Sequence, residues 1–115
     1  MLQKTNRLTK RKEFGYIYRN GKKVSSGTLN LVYHPTKLAC ARFGFVVSKK
    51  IGKAYVRNKI KRQLSEIVRN NIALFHPKIN YIFVAKPDIV NQTFLQKHAT
   101  VLELLSKTSN TQKGE

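Results

Sequence analysis

The sequence predicts an α+β fold, a two-layer α/β sandwich with helices packed on a small mixed sheet. Three observations carry that expectation. Apolar residues alternate with polar ones in short stretches that suit strands, and they recur at helical spacing in three longer stretches. These stretches run in the order helix, strands, helix, strand, helix, an order that lays helices on a sheet. A chain of 115 residues that is 41% hydrophobic supplies one compact domain with a modest core.

Taken in order, Thr9 caps a first helix through "KRKEFGYIYRN" and Gly21 stops it, which puts Phe14, Ile17 and Tyr18 on one face at i, i+3 and i+4. In "KKVSSGTLNLVYHP", Leu29, Leu31 and Tyr33 alternate with Asn30, Val32 and His34, the period of a strand that Pro35 ends. "ACARFGFVVS" reads as a second strand, buried on at least one face. Residues 54–70 fit a helix whose core stripe is Val56, Ile60, Leu64, Ile67 and Val68. "NYIFVAKP" is a third strand closed by Pro87, and "TFLQKHATVLELLSKT" a last amphipathic helix with Phe94, Leu95, His98, Leu102 and Leu105 near one face. The single domain is expected over 1–105, with 106–115 a polar, disordered tail.

Charge narrows the class of partner. A formal net charge of +18 and a pI near 10.5 make a small domain repel itself until a polyanion neutralises it. Nucleic acid is the first candidate. No stretch approaches the roughly 18 consecutive apolar residues of a spanning helix, and "MLQKTNRLTKRKEF" lacks the apolar core of a secretory signal. A cytoplasmic protein without a membrane partner is therefore expected. The lone Cys40 reads as a small buried residue, and His34, His76 and His98 stand too far apart in sequence for a metal site.

The segment "KKIGKAYVRNKIKRQLSEIVRNN" concentrates the charge, with eight Lys or Arg against Glu66 alone. On the helix, Arg57, Asn58, Lys61, Arg62, Ser65 and Arg69 fall within an arc of roughly 140°, apart from the apolar stripe. An exposed helix that serves only solubility mixes signs for i, i+4 pairs. Here one sign dominates, and arginine forks with an asparagine suit phosphate oxygens and base edges. Lys49, Lys50, Lys53 and Lys59 extend the basic set. The chain shows no helix-turn-helix pair, zinc-finger spacing or leucine heptads, so RNA is favoured over DNA. Phe14 and Tyr18 are either stacking platforms for unpaired bases or plain core. The acids Glu13, Glu66, Asp88, Glu103 and Glu115 form no cluster in sequence, so no catalytic residue and no metal ligand is assigned to the protein.

At these residues the chain resembles the protein subunit of bacterial ribonuclease P. The family signature, Lys, any, Gly, any, Ala, then Arg-Asn and Lys-Arg, is matched by Lys50, Gly52, Ala54, Arg57, Asn58, Lys61 and Arg62. "NRLTKRKEF…IYRNGK", "RFGFVVSKKIG" and "YIFVAKP" follow in the family's order, so the resemblance covers residues 6 to about 105. It implies a subunit of a ribonucleoprotein endoribonuclease, whose catalytic RNA removes the 5′ leader of precursor tRNA using Mg2+ that the RNA holds. The partners it implies are that RNA and precursor tRNA, with the protein alone inactive. It also implies a leader-binding cleft between the first helix and the sheet, with Phe14 and Tyr18 on the helix side and Tyr33, or Val32 one residue away, on the sheet side. The implied fold is like that of the second domain of a small-subunit ribosomal protein, with a left-handed strand-helix-strand crossover against the usual hand. Two departures stand out: Lys59 keeps charge where many members have the Arg fork, and Ser65 replaces a frequent Arg for which Arg69, one turn on, would compensate. The alternative function is a ribosomal-type RNA-binding structural protein. A DNA-binding repressor is a third reading, one that needs preference for a duplex sequence.

Overall fold

The computed structural model describes residues 6–8, 11–36 and 41–113, with side chains as far as Thr108; Thr9, Cys40 and Glu115 lie outside them. Helix α1 (Arg11–Asn20) leads through Gly21 into strand β1 (Lys22–Ser25) and strand β2 (Leu29–Pro35). The turn after α1 is tight: a Cβ on Gly21 would lie 2.6 Å from the Ile17 carbonyl oxygen and 2.7 Å from that of Tyr33. The stretch expected as one strand is a hairpin. Ser26 reverses it, its Oγ accepting the backbone N–H of Thr28 at 3.3 Å and of Leu29 at 3.1 Å.

Strand β3 (Phe43–Val46), helix α2 (Ala54–Asn70) and strand β4 (Ile79–Ala85) follow, then helix α3 (Phe94–Lys113). The sheet order is β1-β2-β4-β3, with β1–β2 and β2–β4 antiparallel and β3–β4 parallel. β4 thus inserts between β2 and β3, and α2 is the crossover joining the two parallel neighbours.

Alternation along β2 and β4 divides the core in two. Leu29, Leu31, Tyr33, Tyr81 and Phe83 face α2 and α3, together with Phe43, Ile60, Leu64, Ile67, Val101 and Leu104. Aromatic stacking runs through this layer, with Phe43 5.4 Å from Tyr81 and Phe45 5.8 Å from Phe83. Val32 and Ile82 face the other way, under Ile17 of α1 and Leu8. The expected sandwich is present, and α1 adds a layer on its second face.

Helix α3 departs from expectation in phase and in length. Its buried stripe is Lys97, Thr100, Val101, Leu104, Leu105 and Thr108, while Phe94 is 39% and Leu95 75% exposed. Polar residues fill the core stripe because each is satisfied locally. Lys97 Nζ donates to the Gln92 carbonyl at 2.7 Å, Thr100 Oγ1 to Gln96 at 3.0 Å and Thr108 Oγ1 to Leu105 at 2.6 Å. The helix continues to Lys113, past the end of the domain expected at 105: Thr108 is buried, and Lys107 Nζ reaches the Ser25 carbonyl at 2.7 Å.

Candidate nucleic-acid interface

Helix α2 presents the basic surface. Asn58, Lys61 and Arg62 are exposed, Arg57 is half-buried, and Ile60, Leu64, Ile67 and Val68 hold the helix to the sheet. Arg57 Nε donates to the Gly52 carbonyl at 3.2 Å, which fixes the plane of the guanidinium against the preceding loop. Lys49 and Lys50, on a 3₁₀ turn, and Lys53, at the N-cap of α2, are exposed. No acid stands in the first turn of α2, and Lys53 makes no side-chain cap. Cations therefore gather at the positive end of the helix dipole, an arrangement that an anion relieves.

Two residues of the predicted arc behave differently. Ser65 is 8% exposed and belongs to the packed side of α2. Arg69 is exposed and ion-paired with Glu66, and this partner holds the Glu66 carboxyl below its usual range, first through the hydrogen bond. The single acid of the helix thus serves Arg69 and leaves the Arg57–Arg62 group unopposed on its face. Lys59 is exposed but lies on the flank of α2 that meets the start of α3.

The second surface is the α1 face of the sheet. Phe14 and Tyr18 are half-buried there, packed with Val46 and Val84 against the small core of Ile17, Val32 and Ile82. Register places these groups in rows. Val32, Ile82 and Gly44 form one cross-strand row beneath α1, and Asn30, Val84 and Val46 form the next. Phe14 rests directly on Gly44, where a Cβ would clash with the Cζ and Cε1 edge of its ring. Beside Tyr18 opens a groove of about 310 Å3 lined by Lys23, Asn30, Val32 and Val84. Asn30 Oδ1 is buried with no hydrogen-bond partner, and burial pushes the Tyr18 phenol up from its ordinary pKa.

Of the two residues open for the sheet side, Tyr33 is not part of this surface. It shares parity with Leu29 and Leu31, is 3% exposed, and stacks 6.5 Å from Tyr81 in the α2–α3 core. Val32, one residue back, faces α1. Lys23, Asn30, Val46 and Val84 also belong to this face and were not singled out from the sequence. The alternation of β2 already set Asn30 and Val32 opposite the leucines, and only the knowledge of which face α1 covers was lacking.

Glu13 is ion-paired with Arg42, Glu66 with Arg69, and Glu103 with Lys107 at 3.3 Å. Among the described residues no three His, Cys, Asp or Glu gather where they could hold a metal ion. No helix among them is long and apolar enough to cross a membrane. The two surfaces differ in kind, with cations and forks on one side of the sheet and half-buried rings over an apolar floor on the other.

The sequence matches the family model described as Ribonuclease P over residues 2–109. It is 37% identical over 108 residues to the ribonuclease P protein component of Caldanaerobacter subterraneus, covering 94% of this chain and 93% of that one. With the same component of Finegoldia magna the identity is 34% over 109 residues, covering 95% and 96%. Among solved structures, the Staphylococcus aureus RNase P protein superposes with a TM-score of 0.84 at 28% identity, covering 90% of this chain and 94% of that one. The Thermotoga maritima protein gives 0.82 at 27%, covering 88% and 96%.

Proposed function

We infer the function from one premise: the chain belongs to the ribonuclease P family. It is the protein component of that endoribonuclease, an RNA-binding protein of tRNA processing. We propose that it works through two surfaces on opposite faces of its sheet. The Arg57–Arg62 face of α2, with the lysines before it, binds the catalytic RNA. The groove between α1 and the sheet holds the 5′ leader of precursor tRNA as a single strand. The observation that carries this reading is the half-buried pair Phe14 and Tyr18 beside an unpartnered Asn30 Oδ1. Flat rings take bases by stacking, and the buried amide oxygen accepts a base N–H.

Cleavage itself is assigned to the RNA. Mg2+ bound by the RNA would supply an activated water and charge stabilisation at the scissile phosphate, while this chain's residues would bind and orient the RNA. Among the described residues, Glu13, Glu66 and Glu103 are each paired with a cation. By holding the leader in place, the protein converts part of an encounter between two large RNAs into fixed geometry, which favours the attack without a protein nucleophile. The ribosomal-type structural alternative is not favoured by the relatives, which are named as ribonuclease P components.

The test replaces Phe14 and Tyr18 with Leu, which keeps much of the apolar bulk and removes the stacking faces. Precursor tRNA with a leader of several nucleotides is expected to bind the holoenzyme more weakly, by about 1–3 kcal/mol for each base unstacked. Mature tRNA is expected to bind as before. Equal loss for both substrates, with a lower melting temperature, would return the two rings to a packing role.

A further inference from the structure

The α2–α3 layer contains a second concave site, separated from the leader groove by the sheet. A groove of about 330 Å3 lies where the start of α2 meets the start of α3, at the small end of the range for ligand pockets, about 300–1,000 Å3. Its walls carry two rings that the core leaves out: Tyr55 is 72% exposed and Phe94 39%. Lys59 and Lys97 converge on the same space, and none of the lining residues is acidic. Lys97 is held below its ordinary pKa, first by burial and then by the charge of Lys59. Two cations that repel each other beside a groove without an acid call for an anion.

Two more features point the same way. The N-terminus of α3 opens here, fixed by a reciprocal cap in which Thr93 Oγ1 accepts the Gln96 N–H at 3.2 Å and Gln96 Oε1 accepts the Thr93 N–H at 2.9 Å. Its dipole adds to the lysines. Gln63 Oε1, in the wall of the groove, is buried and has no hydrogen-bond partner. An acidic peptide would answer the lysines alone. Rings, a lone amide acceptor and paired cations together match the face, the edge and the phosphate of a nucleotide.

We propose that this groove binds one unpaired nucleotide of an RNA partner, with Tyr55 and Phe94 against the base, Gln63 Oε1 accepting a base N–H, and Lys59 and Lys97 at the phosphate. The proposal rests on the RNA-binding reading above. Arg62 lies about 60° round α2 from Lys59, so the same strand continues from the groove onto the basic face. Lys59, out of line with the Arg57–Arg62 arc, gains a role there as a point charge where a fork has no partner plane to match.

The test titrates the full chain, labelled with nitrogen-15, with uridine 5′-monophosphate, with uridine and with inorganic phosphate. The monophosphate is expected to shift the backbone amides of 54–63 and 90–97 saturably, and the two fragments to bind those positions at least about tenfold more weakly, since each meets only half the site. Tyr55→Ala, at an exposed position, is expected to weaken the monophosphate about 5- to 150-fold, the loss of one stacking contact, with amide positions elsewhere unchanged. Gln63→Leu checks the polar contact independently. The proposal is overturned if those amides stay still, if inorganic phosphate moves them as strongly, or if Tyr55→Ala binds like the wild type. A glutamate-rich peptide that saturates the same amides while the monophosphate does not would assign the groove to a protein partner and overturn it too. Affinity for the catalytic RNA, measured on Arg57→Ala and Arg62→Ala, reports separately on the proposed function. If that affinity falls while the groove does not respond, only the groove assignment is lost.

Discussion

The ring of Phe14 lies on the backbone of Gly44, and this contact sets how closely α1 approaches the sheet. Gly44→Ala is therefore expected to lower stability by about 1–3 kcal/mol through overpacking. Phe14→Leu should recover part of that loss in the same chain, because the smaller side chain can yield. Thermal melts of the two single variants and the double variant check it, and strict additivity would show that the contact is absent. Lys97 supports a second expectation, for pH dependence. Its pKa is lowered in the folded state, first by burial, so between that value and the ordinary lysine value near about 10.4 the unfolded chain binds more protons. Stability contributed at this site then rises with pH. The wild type should gain on Lys97→Met as the pH of a denaturation series is raised through the window between the lowered value and the ordinary lysine value. A constant gap would mean that the ammonium is ordinarily solvated.

At the scale of elements, α2 and α3 make separate forecasts. Changing Arg57, Asn58, Lys61 and Arg62 to Ala removes three cations from one exposed face. Affinity for the catalytic RNA should fall, and the slope of log affinity against log salt should shrink by about 2–3. Far-ultraviolet circular dichroism must remain native, because the apolar stripe of α2 is untouched. Ending the chain after Leu105 removes the buried Thr108 and the Lys107 bond to Ser25, so the melting temperature should drop; an unchanged value would restore the shorter boundary. Sequence periodicity placed α2 within its observed limits because its stripe is aliphatic and its other face charged. It misplaced the stripe of α3, where Lys97, Thr100 and Thr108 go inside on local hydrogen bonds while Phe94 and Leu95 stay out. It also ran β1 and β2 together, since the reversal depends on the Ser26 side chain and no Asn-Gly or Asp-Gly pair announces it. The resemblance left Tyr33 and Val32 open for the sheet side, and the parity of Tyr33 with Leu29 and Leu31 sets Tyr33 on the other face.

At the scale of the molecule, the sheet separates the basic face of α2 from the groove beneath α1. The insertion of β4 between β2 and β3 makes one four-stranded sheet with α1 on one face and α2 and α3 on the other. No local pattern encodes that order; it follows from long-range pairing that a single sequence does not display. The signature from Lys50 to Arg62 reached the same function by another route, because its spacing matches the family even without the geometry. Under the proposed function, one face of the sheet would hold the leader and the other the catalytic RNA, with the chemistry left to the RNA. The most direct measurement is precursor tRNA cleavage at low magnesium, with the catalytic RNA alone, the protein alone and the two together. The account predicts correct removal of the 5′ leader by the pair, little by the RNA alone at that magnesium level, and none by the protein. Cleavage that follows the protein through purification without RNA, or a pair no faster than the RNA by itself, would contradict it.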